Sequence, residues 1–156
     1  MSNEVQGSKP FARPTKLIDC LQLSITMREE DRWEIWHAAR STPVDALTRG
    51  FEQSKKCWTV VWQGKPIAIF GVCGDGDVGV PWMLASDDLK NIKKEFLAEC
   101  HKYVDEMQGD YKLLANLAWS KNTVHLRWLK WLGFTLMEPQ PFGPDGELFI
   151  YFYRNK

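Results

Sequence analysis

No stretch of the sequence approaches the roughly 20 consecutive apolar residues that a bilayer-spanning helix needs. The first ten residues hold neither a basic start followed by an apolar block nor a cleavage signature. Neither a membrane span nor a secretory leader is therefore expected. An excess of one charge is equally missing. The 20 Lys and Arg are balanced by 20 Asp and Glu, which leaves no broad positive field for nucleic acid and no polybasic patch for anionic lipid. The four cysteines, Cys20, Cys57, Cys73 and Cys100, form no C-x-x-C pair and no cluster with the three histidines. A structural zinc site is thus not expected, and buried free thiols in a reducing compartment are the plain reading. Internal repeats and low-complexity linkers are absent too.

What the chain does have is enough apolar material for a core: 156 residues, 44% hydrophobic and 13% aromatic. A chain of this length buries about two thirds of its unfolded surface. The pattern predicts a flexible polar segment over residues 1–10 and one folded domain over 11–156.

Within that domain, Phe11-Ala12-Arg13 reads as an edge strand stopped by Pro14. Residues 21–27 alternate with the period of a strand, yet the stretch from Lys16 also fits a short helix. Thr26-Met27-Arg28-Glu29 has the form of a capping box opening a helix, with Ile35, Trp36 and Ala39 on its apolar side and Trp33 nearby. Thr42-Pro43 starts another helix, carrying Val44, Leu47 and Phe51. From Cys57 the period changes. Residues 57–62 and 67–73 are rich in aromatic and β-branched types around Gln63-Gly64-Lys65-Pro66, which predicts a β-hairpin. A short strand over 80–85 leads to Ser86, a good N-cap, and a long helix with apolar positions from Leu89 to Met107. A strand over 113–118, a helix from Asn122 or Thr123 to Trp131 that stops at Gly133, a strand from Gly133, a Pro/Gly-rich loop over 139–146 and a terminal strand over 147–153 complete the order. A strand, a long helix and another strand in so short a span form a βαβ unit, and the class is α/β.

The element order, together with the run from Asn122 through His125, Trp128 and Trp131 to Gly133-Phe134, resembles the Gcn5-related N-acetyltransferase (GNAT) superfamily over roughly residues 13–153. In that superfamily a helix begins at an Asn and ends at a Gly-Phe that starts the next strand. The chain is more closely similar to acetyltransferase-like proteins of tailed podophages, a group labelled internal virion protein A or internal core protein. Arg13-Pro14-Thr15, Phe70-Gly71-Val72, residues 79–84, Leu114-Ala115-Asn116 and residues 122–134 carry that likeness. The resemblance implies a mixed, mostly antiparallel central sheet with a parallel pairing of the fourth and fifth strands and flanking helices.

It also implies a place for acyl-CoA. Active members hold it at a splayed fourth strand and wrap its pyrophosphate in an Arg/Gln-x-x-Gly-x-Gly/Ala loop, where backbone N–H groups and the helix end attract the anion. The matching stretch here, Ala85 to Asn91, has no glycine and no arginine, and places Asp87 and Asp88 where phosphate would sit. Each carboxylate would repel a phosphate about 5 Å away by about 1 kcal/mol or more. Both also have an ordinary explanation as first-turn helix acids. The tyrosine that often protonates the CoA thiolate, seven residues after the Asn, is replaced by Leu129. Asp75 and Asp77 read as turn formers, His125 as a polar helix-face residue with no sequence-local carboxylate to orient it, and His37 and His101 as surface or half-buried helix residues. No catalytic residue is assigned.

The resemblance implies Met83, Leu84, Ala85 and Asn122 as the cofactor-side residues, and Trp82, Asn116, Trp119 and Ser120 as the cleft lining. The eight tryptophans exceed what a core of this size needs, and Trp58, Trp62, Trp128 and Trp131 are the candidates for exposed rings forming a partner surface. The expected function is a catalytically degenerate acetyltransferase-like phage protein acting by protein binding, in virion assembly or on a host protein. It would reside in the bacterial host cytoplasm or be packaged into the virion from it. On that reading no cofactor, metal, nucleic acid or membrane is expected. The alternative is an active N-acyltransferase moving an acyl group from acyl-CoA to an amine, and a cleft that binds a small molecule without transfer is a third reading.

Overall fold

The β-rich middle of the sequence forms the centre of the fold. The computed structural model describes residues 9–156, so the expected flexible segment lies, up to Ser8, outside the described residues. Strands β2 (Lys56–Trp62) and β3 (Lys65–Asp75) make an antiparallel hairpin. Its two turn residues, Gln63 and Gly64, both take positive φ, 51° and 74°, as a two-residue hairpin matched to strand twist requires. β3 continues into β4 (Val78–Ala85), also antiparallel, and β1 (Phe11–Pro14) adds to the outer edge of β2.

Three helices, α1 (Leu17–Thr26), α2 (Glu29–Ala39) and α3 (Pro43–Gln53), lie between β1 and β2 in sequence. After β4 come a 3-10 segment (Asp87–Ile92), α4 (Lys93–Gln108), β5 (Leu113–Trp119) and α5 (Thr123–Trp131), then β6 (Thr135–Leu136), β7 (Gln140–Phe142) and β8 (Glu147–Asn155). The sheet runs β1-β2-β3-β4-β5-β8-β6, with β7 also on β8. β4 and β5 are its parallel pair, and this mixed, mostly antiparallel sheet is the one the resemblance implies.

Two apolar layers sandwich the sheet. Leu23, Leu47, Ile69 and Leu84 pack α1 and α3 on one face. Phe70, Val104, Leu114, Leu129 and Phe152 pack α4 and α5 on the other. α1 is tied to the sheet by a buried carboxylate. Asp19 accepts from Arg13 (2.7 and 2.9 Å), the Lys16 N–H (2.8 Å) and Thr59 Oγ1 (2.9 Å). Burial alone would raise its pKa, but these donors outweigh it and hold the carboxyl below its ordinary value.

Several local expectations are corrected. The ambiguous stretch is helical, because Cys20, Leu23 and Ser24 form a buried face spaced by three and four. Thr26 ends α1 rather than capping α2, whose N-cap is Arg28 with no side-chain cap. Thr42 does cap α3, accepting from the Asp45 N–H at 3.3 Å with Pro43 at the first position. The long helix does not start at Ser86, since six residues of 3-10 turn precede α4. Part of the expected 139–146 loop is the strand β7.

The tryptophans are corrected as well. Trp58, Trp62 and Trp128 pack against the α4–α5 core, whereas Trp33 and Trp36 are 46% and 40% exposed and Trp131 is 49% exposed. Of the rings expected at the surface, Trp131 alone is exposed.

Gly74 and Gly79 face each other across β3 and β4, and the missing side chains leave a trough that the Tyr111 ring fills. A Cβ on Gly74 would collide with the Tyr111 hydroxyl and Cζ, and one on Gly79 would lie 2.6 Å from the same ring. The ring thereby closes the sheet just where β4 begins to part from β5. Gly74→Ala is expected to lose about 1–3 kcal/mol of stability by overpacking. Added to Tyr111→Ala it should cost less than the sum, because the clash is then gone. Urea denaturation of the two single variants and the double variant measures this coupling.

Candidate functional site

β4 and β5 pair through only two registered positions, Val78 with Leu113 and Gly79 with Leu114, and then diverge. Proline explains where. On β4 the groups that point toward β5 belong to Gly79, Pro81, Met83 and Ala85, since alternate residues face opposite strands. Pro81 has no N–H to continue the ladder. Its carbonyl accepts instead from Asn116 Nδ2 at 2.7 Å, while Asn116 Oδ1 accepts from the Leu117 N–H at 2.7 Å. One side-chain amide thus replaces a rung of the sheet.

Helix α2 holds the far ends of the splay. Asp31, 1% exposed, accepts from the Ala85 N–H at 2.9 Å. The Arg28 N–H donates to the Ala85 carbonyl at 2.8 Å. Across the gap, Glu34 Oε2 accepts from the Trp119 N–H at 3.0 Å. Asn122, fully buried, donates through Nδ2 to both acids, 3.1 Å to Asp31 Oδ1 and 3.1 Å to Glu34 Oε2. Arg28 closes the set, with Nε at 3.1 Å and Nη2 at 2.8 Å from the two Asp31 oxygens. The terminal N–H of each diverging strand therefore ends on a carboxylate of the same helix, three residues apart and one turn deep.

The charges in this cluster do not cancel: two acids meet one guanidinium. Burial opposes the Arg28 charge, but Asp31 and the more distant Glu30 and Glu34 outweigh it and hold its pKa above the ordinary value. Glu34 carries the imbalance. Burial first, and the Asp31 charge second, push its carboxyl up to about 8, against the hydrogen bonds from Trp119 and Asn122. His125, buried on α5, is pushed down to about 4 by burial and further by Arg28, with Asp31 opposing. At neutral pH the site holds a protonated Glu34 and a neutral His125 beside the Arg28–Asp31 ion pair.

A cavity of about 1120 Å³ runs through the splay and is bordered by Trp82, Met83, Leu84 and Asn116 together with Glu34 and His125. Four of the eight expected site residues thus reach it. Ala85, Trp119, Ser120 and Asn122 do not border it. Ala85 and Asn122 are held by Asp31, the Trp119 indole N–H donates to Glu147 Oε1 at 3.1 Å, and the Ser120 N–H bonds the Leu148 carbonyl at 2.9 Å. Trp82 is turned onto α3, its indole N–H 2.8 Å from Ser54 Oγ, in a space that Gly50 leaves open. Successive β4 side chains must face opposite sides of the sheet, so Trp82 and Leu84 line the gap from one face and Met83 from the other.

Sequence reasoning missed Arg28, Asp31 and Glu34. The signal was a pair of acids at i and i+3 on the same face as Ile35, which inverts the expected helix: the acids go in and the tryptophans go out.

At the helix entrance, Ser86 Oγ accepts from the Asp88 N–H at 3.3 Å, and the Leu89 N–H bonds the Ser86 carbonyl at 3.2 Å. The Asp88 carboxylate meets Asn91 Nδ2 at 3.2 Å and Lys65 Nζ at 3.5 Å. The Asp88 and Leu89 N–H groups of the first turn are thus engaged within the chain, and the neighbouring Asp87 is exposed.

The two perturbed groups set a pH profile. Glu34 has a folded pKa above its unfolded value, so its contribution is complete below about 4.5 and is lost as pH rises toward 8. His125 has a folded pKa below its unfolded value, so its contribution is complete above 6.5 and is lost as pH falls toward 4. Between 4.5 and 6.5 the two slopes oppose each other. From 6.5 to 8 only Glu34 acts, and stability should fall by up to about 1.4 kcal/mol per pH unit. Glu34→Gln should flatten that alkaline fall, which urea denaturation at pH 6.5, 7.25 and 8 would measure.

Comparison with known proteins agrees with this geometry. The chain matches solved GNAT enzymes along its length. A GCN5-related N-acetyltransferase from Kribbella flavida superposes with a TM-score of 0.66 at 14% identity, over 94% of this chain and 98% of that one. The ribosomal-protein-S18-alanine N-acetyltransferase of Escherichia coli gives 0.64 at 14% identity, over 94% and 93%. An aminoglycoside acetyltransferase solved with coenzyme A gives 0.63 at 18%, over 95% of each chain. At these identities the likeness shows the fold. In sequence, the probable scaffold protein gp13 of Escherichia phage T7 is 29% identical over 147 residues, covering 89% of this chain and 93% of that protein. The model of the family described as bacteriophage T7 probable scaffold protein Gp13 matches residues 56–139, more than half of the chain and the whole stretch from β2 through α5. The chain thus has a GNAT fold whose strand ends are held by its own carboxylates, and it belongs to the family described as bacteriophage T7 probable scaffold protein Gp13.

Proposed function

We propose that this chain acts by protein binding in phage virion assembly and has given up acyl transfer. The observation that carries the reading is the pairing of Ala85 and Trp119 with Asp31 and Glu34. The β4 backbone is where an acyl-CoA would have to bind in a GNAT fold. There Pro81 lacks its N–H, and Ala85 has its N–H engaged by Asp31 and its carbonyl by the Arg28 N–H. The acids at the 3-10 entrance add repulsion where a diphosphate would need attraction. The residues present therefore do not fit acyl-CoA in the usual pose, and no transfer step is derived through it. The T7 relative, described as a probable scaffold protein, supports an assembly role. No helix of the described residues is long and apolar enough to cross a membrane.

One feature favours the enzymatic alternative. Glu34 borders the cavity with a carboxyl pushed up to about 8, so the ionised form that could take a proton from an amine appears as pH rises toward that value. The two readings separate in a calorimetric titration with acetyl-CoA. We expect no saturable heat up to about 1 mM, the concentration of a binding free energy near −4 kcal/mol. Saturable binding at micromolar concentration, with the affinity raised further in Asp87→Gly with Asp88→Gly, would overturn the non-catalytic reading.

A further inference from the structure

The two most exposed indoles of the N-terminal half share one groove. Trp33 and Trp36 lie at i and i+3 on α2, and the groove they line is completed by Met27, Glu29, Arg32 and Asp87. Each ring is already backed from the C-terminal side of the helix. The His37 imidazole stacks on Trp33 with 5.5 Å between centroids, and the Arg40 guanidinium lies 5.0 Å over Trp36. Asp145 fixes that backing. It meets His37 Nδ1 at 2.9 Å, Arg40 Nη1 at 2.6 Å and Arg40 Nη2, and the Arg40 bond, before the His37 one, pulls its carboxyl down to about 2. The rings are therefore held in place while nearly half of each remains open to solvent.

The charges around the rings select the occupant. Arg32 is turned away into the end of α1, donating to the carbonyls of Met27 (2.8 Å), Ser24 (3.0 Å) and Ile25 (3.0 Å). Among the described residues Glu29 is engaged by the Trp33 indole N–H alone, at 3.4 Å, and Asp87 is exposed. Two indole rings bracketed by two available carboxylates are complementary to an ammonium group: the ring quadrupole attracts a cation, and the carboxylates supply its counter-charge. Met27, at the end of α1, completes the groove with apolar surface for the stem of the same segment.

We infer that this groove docks a lysine-bearing segment of a partner protein. The proposal rests on the protein-binding reading above and supplies its chemistry. It also accounts for an α2 that turns Asp31 and Glu34 inward and exposes its tryptophans, an arrangement that core packing alone would disfavour.

The test uses the full chain and hexalysine as probe, titrated by calorimetry in 0.15 M salt, with hexaglutamate as the counter-probe. Hexalysine should give a saturable change and hexaglutamate none. Glu29→Gln with Asp87→Asn should weaken hexalysine binding about tenfold or more, and Trp33→Ala with Trp36→Ala should abolish it. The equal charge change Glu95→Gln with Glu99→Gln on α4 should leave it unaltered. No saturable binding, or equal loss in the α4 variant, would overturn the proposal, and so would binding that survives Glu29→Gln with Asp87→Asn. Both double charge variants change only surface side chains, which keeps the comparison valid if the tryptophan variant does not fold. Failure here alongside the absence of acetyl-CoA binding would remove this groove and leave the assembly reading standing. Acetyl-CoA binding would remove the reading itself.

Discussion

Asp31 is the residue on which the middle of the fold turns. A sheet whose parallel strands diverge exposes backbone donors inside the protein, and an unpaired buried N–H costs on the order of 1–3 kcal/mol. Asp31 takes the Ala85 N–H, the Asn122 amide and the Arg28 guanidinium on its two oxygens. It thereby joins α2, the end of β4 and the start of α5 in one contact. Once it is in place, Asn122 is oriented toward Glu34, and Glu34 is brought onto the end of β5. The splay is held open rather than collapsed, because each strand end already has a partner.

The same arrangement explains why the site is electrostatically uneven. A buried ion pair is tolerated when hydrogen bonds satisfy its remaining lone pairs, and Arg28 with Asp31 meets that condition. A second carboxylate does not, since Asn122 and one backbone N–H are neutral donors. Protonation of Glu34 is the least costly resolution near pH 7. Asn122 Oδ1 is left buried with no hydrogen-bond partner, a further sign that the cluster was shaped by the need to hold two strand ends rather than by internal balance. A pair of acids chosen to cap backbone donors and a cofactor cradle that needs those donors free are alternatives at one place in the fold.

Much of this was legible in the sequence. The hairpin around Gln63-Gly64, the Thr42-Pro43 helix start, the Gly133 stop and the order of strands follow from local chemistry that tertiary contacts leave intact. The absence of glycine between Ala85 and Asn91 was visible as well. What escaped were features decided at long range. Asp31 and Glu34 lie about 50 and 85 residues from the N–H groups they cap, and nothing near them in sequence marks an acidic side chain as a backbone partner. The tryptophans of α2 were assigned to the core on polarity alone, which fails when a helix faces a polar gap on one side. Trp58 and Trp62 were placed at the surface by strand alternation, but β2 sits between β1 and β3 and is covered by Tyr103 and its neighbours.

The inversion of α2 links these two surprises physically. A helix has one face to offer the sheet, and residues at i, i+3 and i+4 share it. Asp31, Glu34 and Ile35 occupy that face, so Trp33 and Trp36 are carried to the outside by helical geometry, whatever their hydrophobicity. Moving either indole inward would require rotating the helix by more than one residue and would pull both carboxylates off the strand ends. The exposed aromatic groove and the capped cleft are consequently two sides of one structural commitment. A sequence that selected the acids for the inner face acquired a tryptophan surface on the outer one, and whatever use the molecule makes of that surface is tied to keeping the strand ends capped.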